Sequence, residues 1–186
     1  MTTVLFIHSA GPQGRGEGSS ALLEGLGAAM QDGPGLHAPL MPEPDNPDAE
    51  AWIAACQSEI AGISDDMVLV GHSLGGSIIQ QTLARFGQPA NLVGVITLAS
   101  PFWGAAGWDF ESYAIPENGT EAVRQLPRLV MLQGEEDEVV AADHLDLYKA
   151  LLPNADTRRL PGVDHAAAGA GPVLVRAIVE MTSNRA

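Results

Sequence analysis

A chain of 186 residues, 46% apolar and only 17% charged, is long and apolar enough to fold as one domain around an α/β core without disulfide or metal staples, which excludes a disordered segment. Nine basic against 23 acidic residues leave a formal net charge of −14, a surface that repels phosphate backbones and anionic lipid, so neither nucleic acid nor a membrane surface is an expected partner. No apolar run approaches membrane-spanning length, and residues 1–10 run straight into a strand without the basic-then-apolar layout of a secretory signal, so the cytoplasm is the default location.

The β-rich run Thr3 to Ile7 predicts a first strand ending at His8. A Gly-rich polar loop follows, then a helix from about Ser19 to Met30 that Ser19 or Ser20 could cap. The loop, Gly11 to Ser19, fails as a phosphate cradle: no Gly-Lys-Ser/Thr follows, and Glu17 would face the phosphates. Gly35 to Met41 reads as a short strand, and the prolines at 42, 44 and 47 as a loop before a helix running through Ile60. That helix carries the one cysteine, Cys56, which rules out an internal disulfide and reads as a packed thiol.

Asp65 and Asp66 then introduce a strand, Met67 to Val70, that breaks at Gly71-His72-Ser73-Leu74-Gly75-Gly76. Leu74, Ile78, Leu83 and Phe86 recur at helical spacing behind it until Gly87 and Pro89 stop the helix. Strand, tight turn and helix in that order make a nucleophile elbow: a serine attacks carbonyls only if the chain bends sharply enough to lift its hydroxyl clear of the backbone. The G-x-S-x-G pentapeptide alone is weak, and its surroundings carry the reading.

Further strands are expected at Leu92 to Leu98, Leu129 to Leu132 and Thr157 to Leu160, with helices at Ala142 to Leu151 and Pro172 to Met181. Residues 100–127 form an irregular, aromatic-rich insertion. Strands alternating with helices predict a three-layer α/β/α architecture around a mainly parallel, doubly wound sheet, whose working residues gather at the strands' carboxyl ends.

A serine needs a base, and among the five histidines, His8, His37, His72, His144 and His165, the last lies in the loop after the final strand, from which it could swing over the sheet. His37 sits inside a short strand, His72 should point away from its neighbour Ser73, and His144 falls early in a helix, where a solvated position is expected. The histidine needs a carboxylate in turn, and the turn Gln133-Gly134-Glu135-Glu136-Asp137-Glu138 follows the Leu129 to Leu132 strand. Asp137 is the chosen acid, and like-charge crowding requires the three glutamates to face water. Asp109 and Glu111 are alternative acids. Phe102, Trp103 and Trp108, with Phe110 and Tyr113 beyond them, are placed either to wall an acyl or alcohol pocket or to close the core beneath a long loop.

The order Ser73, Asp137, His165, with the elbow, the Gly134-x-x-Asp137-x-x-Val140 turn and the late Asp164-His165, resembles the α/β-hydrolases in a minimal form without a large lid. The chain starts at what resembles that family's third strand, as in compact members of the retinoblastoma-binding serine hydrolase type, although the L-x-C-x-E partner motif is absent because Gln57 and Ser58 follow Cys56. The resemblance implies an oxyanion hole made by the N–H of Leu74 and by a second N–H from the loop after the first strand, Ala10 or Ser9. It implies a serine hydrolase, expected to be a carboxylesterase acting on a small ester without cofactor or metal. Thioester or amide hydrolysis, or an inactive binding module of the same fold, are the alternatives.

Overall fold

The computed structural model describes residues 2–30 and 33–183. Its core is a six-stranded sheet, every adjacent pair parallel, built from β1 (Thr2–Ile7), β2 (Gly35–His37), β3 (Asp66–His72), β4 (Leu92–Leu98), β5 (Leu129–Gly134) and β6 (Asp156–Leu160). The order across the sheet is β2-β1-β3-β4-β5-β6. The chain therefore winds outward from β1 to β2, then returns to the other side of β1. Between β1 and β3 the loops leave in opposite directions and open a crevice.

Period-two alternation sends successive strand residues to opposite faces. Leu5, Ile7, Met67, Leu69, Leu129 and Met131 meet α2 (Ala49–Gly62), α3 (Leu74–Phe86), α4 (Thr120–Arg124) and α5 (His144–Leu151). Val4, Phe6, Val68, Val70, Val130 and Leu132 meet α1 (Ser20–Met30) and α6 (Gly171–Ser183) on the other face. Two cores follow, and β3, covered on both sides, is buried from Met67 to His72. Cys56 is buried in the first core, where desolvation pushes its thiol up to about 12, as befits an inert packing group. Among the described residues no helix is long and apolar enough to cross a membrane.

Four elements differ from expectation. β2 covers only Gly35–His37 rather than Gly35 to Met41, because Pro39 supplies no N–H and restrains Ala38 before it. The 100–127 insertion is not wholly irregular: 3₁₀ turns at Glu111–Tyr113 and Glu117–Gly119 lead into α4, which buries Val123. α5 begins at His144 rather than Ala142. Ser19 stands at the start of α1, its carbonyl accepting from Leu23 N–H, yet its hydroxyl does not cap the helix and turns toward Ser9 and His72.

Candidate active site

At the carboxyl end of β3 the chain turns so tightly that Ser73 adopts φ 52°, ψ −121°, a conformation that non-glycine residues rarely hold. Backbone contacts enforce it. Ser73 N–H donates to Leu98 O at 2.8 Å, and Gly76 N–H donates to Ser73 O at 3.0 Å. A Cβ on Gly75 would strike the carbonyl oxygens of Ile7 and His8, and one on Gly71 would strike Gly75 and Gly76. The helix behind the elbow thus packs directly on the end of β1, bringing the Ser73 turn beside the His8-Ser9-Ala10 loop at the crevice of the sheet.

The amides of that loop separate cleanly. Ser9 N–H donates to Ser19 Oγ at 2.9 Å, and Gly11 N–H donates to Pro44 O at 2.7 Å. Between them, Ala10 N–H has no partner among the described residues, and neither has Leu74 N–H at the start of α3, where helices leave their first amides open. Of the two residues the sequence leaves open, Ser9 is therefore occupied and Ala10 is free.

On the far side, the turn after β5 carries Asp137, its side chain fully buried, while Glu135, Glu136 and Glu138 face solvent. Its carboxylate accepts from Val139 N–H at 2.9 Å and Val140 N–H at 2.7 Å through Oδ1, and from the Gln133 side-chain amide at 2.9 Å through Oδ2. The His165 ring donates from Nδ1, 3.0 Å from Oδ1 and 2.9 Å from Oδ2. Burial by itself would raise the Asp137 carboxyl, but the hydrogen bond and charge of His165 and the amides of Val140 and Val139 outweigh it and hold the group below its ordinary value. Because Asp137 accepts at Nδ1, Nε2 of His165 is the ring nitrogen left to take a proton.

The two loops are latched to each other: Glu135 N–H donates to Leu160 O at 3.0 Å and Glu136 N–H to Val163 O at 3.1 Å. Gly134 sits so close to Val163 that any Cβ there would strike its carbonyl. Asp109 and Glu111, the alternative acids, are exposed. Gln133 escapes a reading by motif, and its only signal is a buried polar side chain ending an apolar strand.

Two cavities meet at Ser73. One, of about 550 Å³, is walled by Trp103, Trp108, Phe110, Tyr113 and Leu74, with Asp48 and Glu50 among its lining. The other, of about 500 Å³, contains His165, His72, Ser9, Glu138 and Val139. Ala10, Ser73 and Trp108 line both. The aromatic insertion is thus divided. Trp103 stacks edge-on to Trp108 at 5.2 Å and anchors its ring N–H on Ser77 Oγ at 2.8 Å, and Tyr113 OH donates to Pro47 O at 2.6 Å. Phe102, expected beside them, lines neither cavity: it packs edge-on to Tyr148 at 5.1 Å against the core.

Three histidines differ from the one against Asp137 in being almost wholly buried. His144 is not the solvated helix residue expected from its position; its Nδ1 accepts from Phe102 N–H at 2.9 Å, and burial lowers its pKa. His8 lies edge-on to Phe6 at 5.3 Å, its Nδ1 has no partner among the described residues, and burial lowers it too. His72 does point away from Ser73, into a buried set of hydrogen bonds, and burial pulls it down to about 4. Each is neutral near pH 7.

Residues 38–168, spanning the elbow, the Asp137 turn and His165, match the serine hydrolase family. The chain belongs to that family. It is a hydrolase with the α/β-hydrolase fold, and solved structures share its architecture end to end. The ydeN gene product of B. subtilis superposes with a TM-score of 0.78 at 16% identity, covering 99% of this chain and 100% of its own. A meta-cleavage product hydrolase from Pseudomonas fluorescens gives 0.74 at 16% identity, covering 100% and 92%. A carboxylesterase structure from the thaumarchaeon Nitrososphaera gargenis gives 0.73 at 14%, covering 98% and 91%. No curated protein matches the sequence.

Proposed function

We propose that this serine hydrolase is a carboxylesterase that works through an acyl-enzyme on Ser73, with His165 as the base and Asp137 as its orienting acid. The observation that carries this reading is the buried Asp137 carboxylate on Nδ1 of His165, which leaves Nε2 as the remaining ring nitrogen of a histidine that lines the same cavity as Ser73. Ser73 Oγ bonds to the ester carbonyl carbon as its proton passes to Nε2. The carbonyl oxygen becomes an oxyanion met by the open N–H groups of Leu74 and Ala10. Collapse breaks the bond to the alkoxy oxygen, which leaves with the proton from Nε2. Water then attacks the acyl carbon with His165 again as base, releasing the acid and Ser73.

The leaving alcohol must sit where His165 can protonate it, in the cavity that holds the imidazole. The acyl group then falls on the other side of Ser73, among Trp103, Trp108, Phe110 and Tyr113. Glu138 on the alcohol side and Asp48 and Glu50 on the acyl side, in a chain of net charge −14, favour uncharged esters over anionic ones.

A fluorophosphonate probe read by intact mass tests the nucleophile. One adduct on the wild-type chain and none on Ser73→Ala is expected. No labelling, or equal labelling of both, overturns the proposal.

A further inference from the structure

A buried polar chain joins the two sides of the site behind Ser73. Nε2 of His72 lies 2.8 Å from the carbonyl oxygen of His165, and its Nδ1 lies 2.9 Å from Ser19 Oγ. Ser19 Oγ in turn accepts from Ser9 N–H at 2.9 Å and lies 3.0 Å from Ser9 Oγ. His72, Ser19 and Ser9 are all buried, Ser19 completely.

The proton positions follow from valence. A carbonyl oxygen only accepts, so His72 Nε2 carries the hydrogen and, the ring being neutral, Nδ1 is the acceptor. Ser19 must spend its single proton on Nδ1, which makes the Ser9 hydroxyl the donor in the Ser9–Ser19 pair. Every group in the chain is then satisfied with one arrangement of hydrogens. Burial disfavours the imidazolium that would break it: desolvation dominates at His72, and the nearby rings of His165 and His8 oppose a second charge more weakly, while the His165 carbonyl and Asp137 pull the other way.

We propose that His72 is a positioning residue, a neutral Nε2–H imidazole that ties the loop carrying His165 to the loop carrying the Ala10 N–H. The inference rests on the function proposed above for His165 and Ala10. One arm fixes the backbone of His165. The other, through Ser19, occupies Ser9 N–H and so leaves Ala10 as the open amide beside Ser73. Each ring nitrogen of His72 has its own task, and the tasks are separable by substitution. Counted from Cβ, the side-chain oxygen of asparagine falls where Nδ1 stands, and the amide nitrogen of glutamine where Nε2 stands. His72→Asn therefore keeps an acceptor for Ser19 and loses the His165 arm; His72→Gln does the reverse.

Two measurements test the relay. Long-range ¹H–¹⁵N spectra of the wild-type chain at neutral pH should show His72 protonated at Nε2 and bare at Nδ1; the opposite tautomer or an imidazolium overturns the proposal. Hydrolysis of p-nitrophenyl acetate is the second. Ser19→Ala should lower kcat roughly ten- to hundredfold with KM changed less than about twofold, since it displaces a donor to the oxyanion and not the substrate's binding surface. Its acid limb in the kcat/KM profile should stay in place, whereas His72→Asn should move that limb along with kcat. A kcat loss for Ser19→Ala under about threefold, a loss confined to KM, or identical pH profiles for Ser19→Ala and His72→Asn overturns it. If the wild-type chain cleaves no ester, the proposed function fails, and the tautomer decides the relay by itself.

Discussion

Two regions meet at Ser73 and are built on opposite principles. The elbow is shaped by backbone against backbone: Gly71 and Gly75 have no room for a methyl group against the main chain around them, and Ser73 is held at positive φ by bonds to Leu98 and Gly76. The aromatic insertion is shaped by side chains: Trp103, Trp108, Phe110 and Tyr113 lean on one another, and Phe110 is 63% exposed. Backbone cannot be exchanged by substitution, but ring for ring can. The difference teaches that the proposed nucleophile is held by rigid main-chain geometry, while the proposed acyl pocket is built from side chains that substitution can exchange.

The comparison breaks most severely at the groups proposed to react. Ser73→Ala should reduce ester turnover by roughly a millionfold, and Asp137→Asn by roughly ten-thousandfold, because the amide leaves His165 in the wrong tautomer; both variants should keep native circular dichroism. If Asp109→Asn produces the larger loss and Asp137→Asn little, the acid has been misassigned. Next comes the backbone itself. Gly75→Ala should cost about 3 kcal/mol in urea unfolding and lower kcat as well, since its Cβ can be relieved only by moving α3 off the end of β1. A neutral Gly75→Ala would mean that the elbow is more compliant than its contacts imply.

Acid should weaken the same rigid region. Between pH 6.5 and about 4 the unfolded chain binds a proton at His72 that the folded chain refuses, so unfolding free energy should fall by about 3 kcal/mol across that window. Asp137, held below its ordinary value, adds stability above the usual carboxylate range that is lost as pH falls through its folded pKa, at the acid end of the same titration. His72→Asn should flatten the upper part of this dependence in pH-resolved chemical denaturation.

The smallest effects belong to the side-chain-built region. Trp108→Ala should lower kcat/KM for a bulky aryl-acyl ester roughly tenfold while changing the acetyl ester less than about threefold. Phe102→Leu, whose ring lies against Tyr148, should leave that selectivity ratio unchanged and cost about 1 kcal/mol of stability. A shifted ratio in Phe102→Leu would place it on the substrate path after all.

Much of this molecule is legible in its sequence. The elbow is readable because strand, glycine-flanked serine and helix are local, and local chemistry leaves a local pattern. Like-charge crowding shows in the sequence that three of four neighbouring carboxylates must face water, the resemblance of the Gly134-x-x-Asp137-x-x-Val140 turn singles out Asp137, and the structure buries that side chain against His165. His144 misleads because helix position says nothing of what packs over the helix, and Phe102 misleads because loop residues carry no periodicity to tell the core side from the cavity side. α4 is hidden for a similar reason: five residues are too few to show a period.

The sequence by itself determines the alternation of strands and helices and the turn at Ser73, since each depends on residues close together along the chain, and it sets the order Ser73, Asp137, His165 of the proposed nucleophile, acid and base. Only the tertiary structure decides that Ser9 N–H is spent on Ser19 while Ala10 N–H is open, that Gln133 steadies Asp137, and that His72 reaches across to the carbonyl of His165. Those are contacts between separate strand ends, and hydrogen-bond partners brought together by sheet closure have no spacing along the chain from which they could be read.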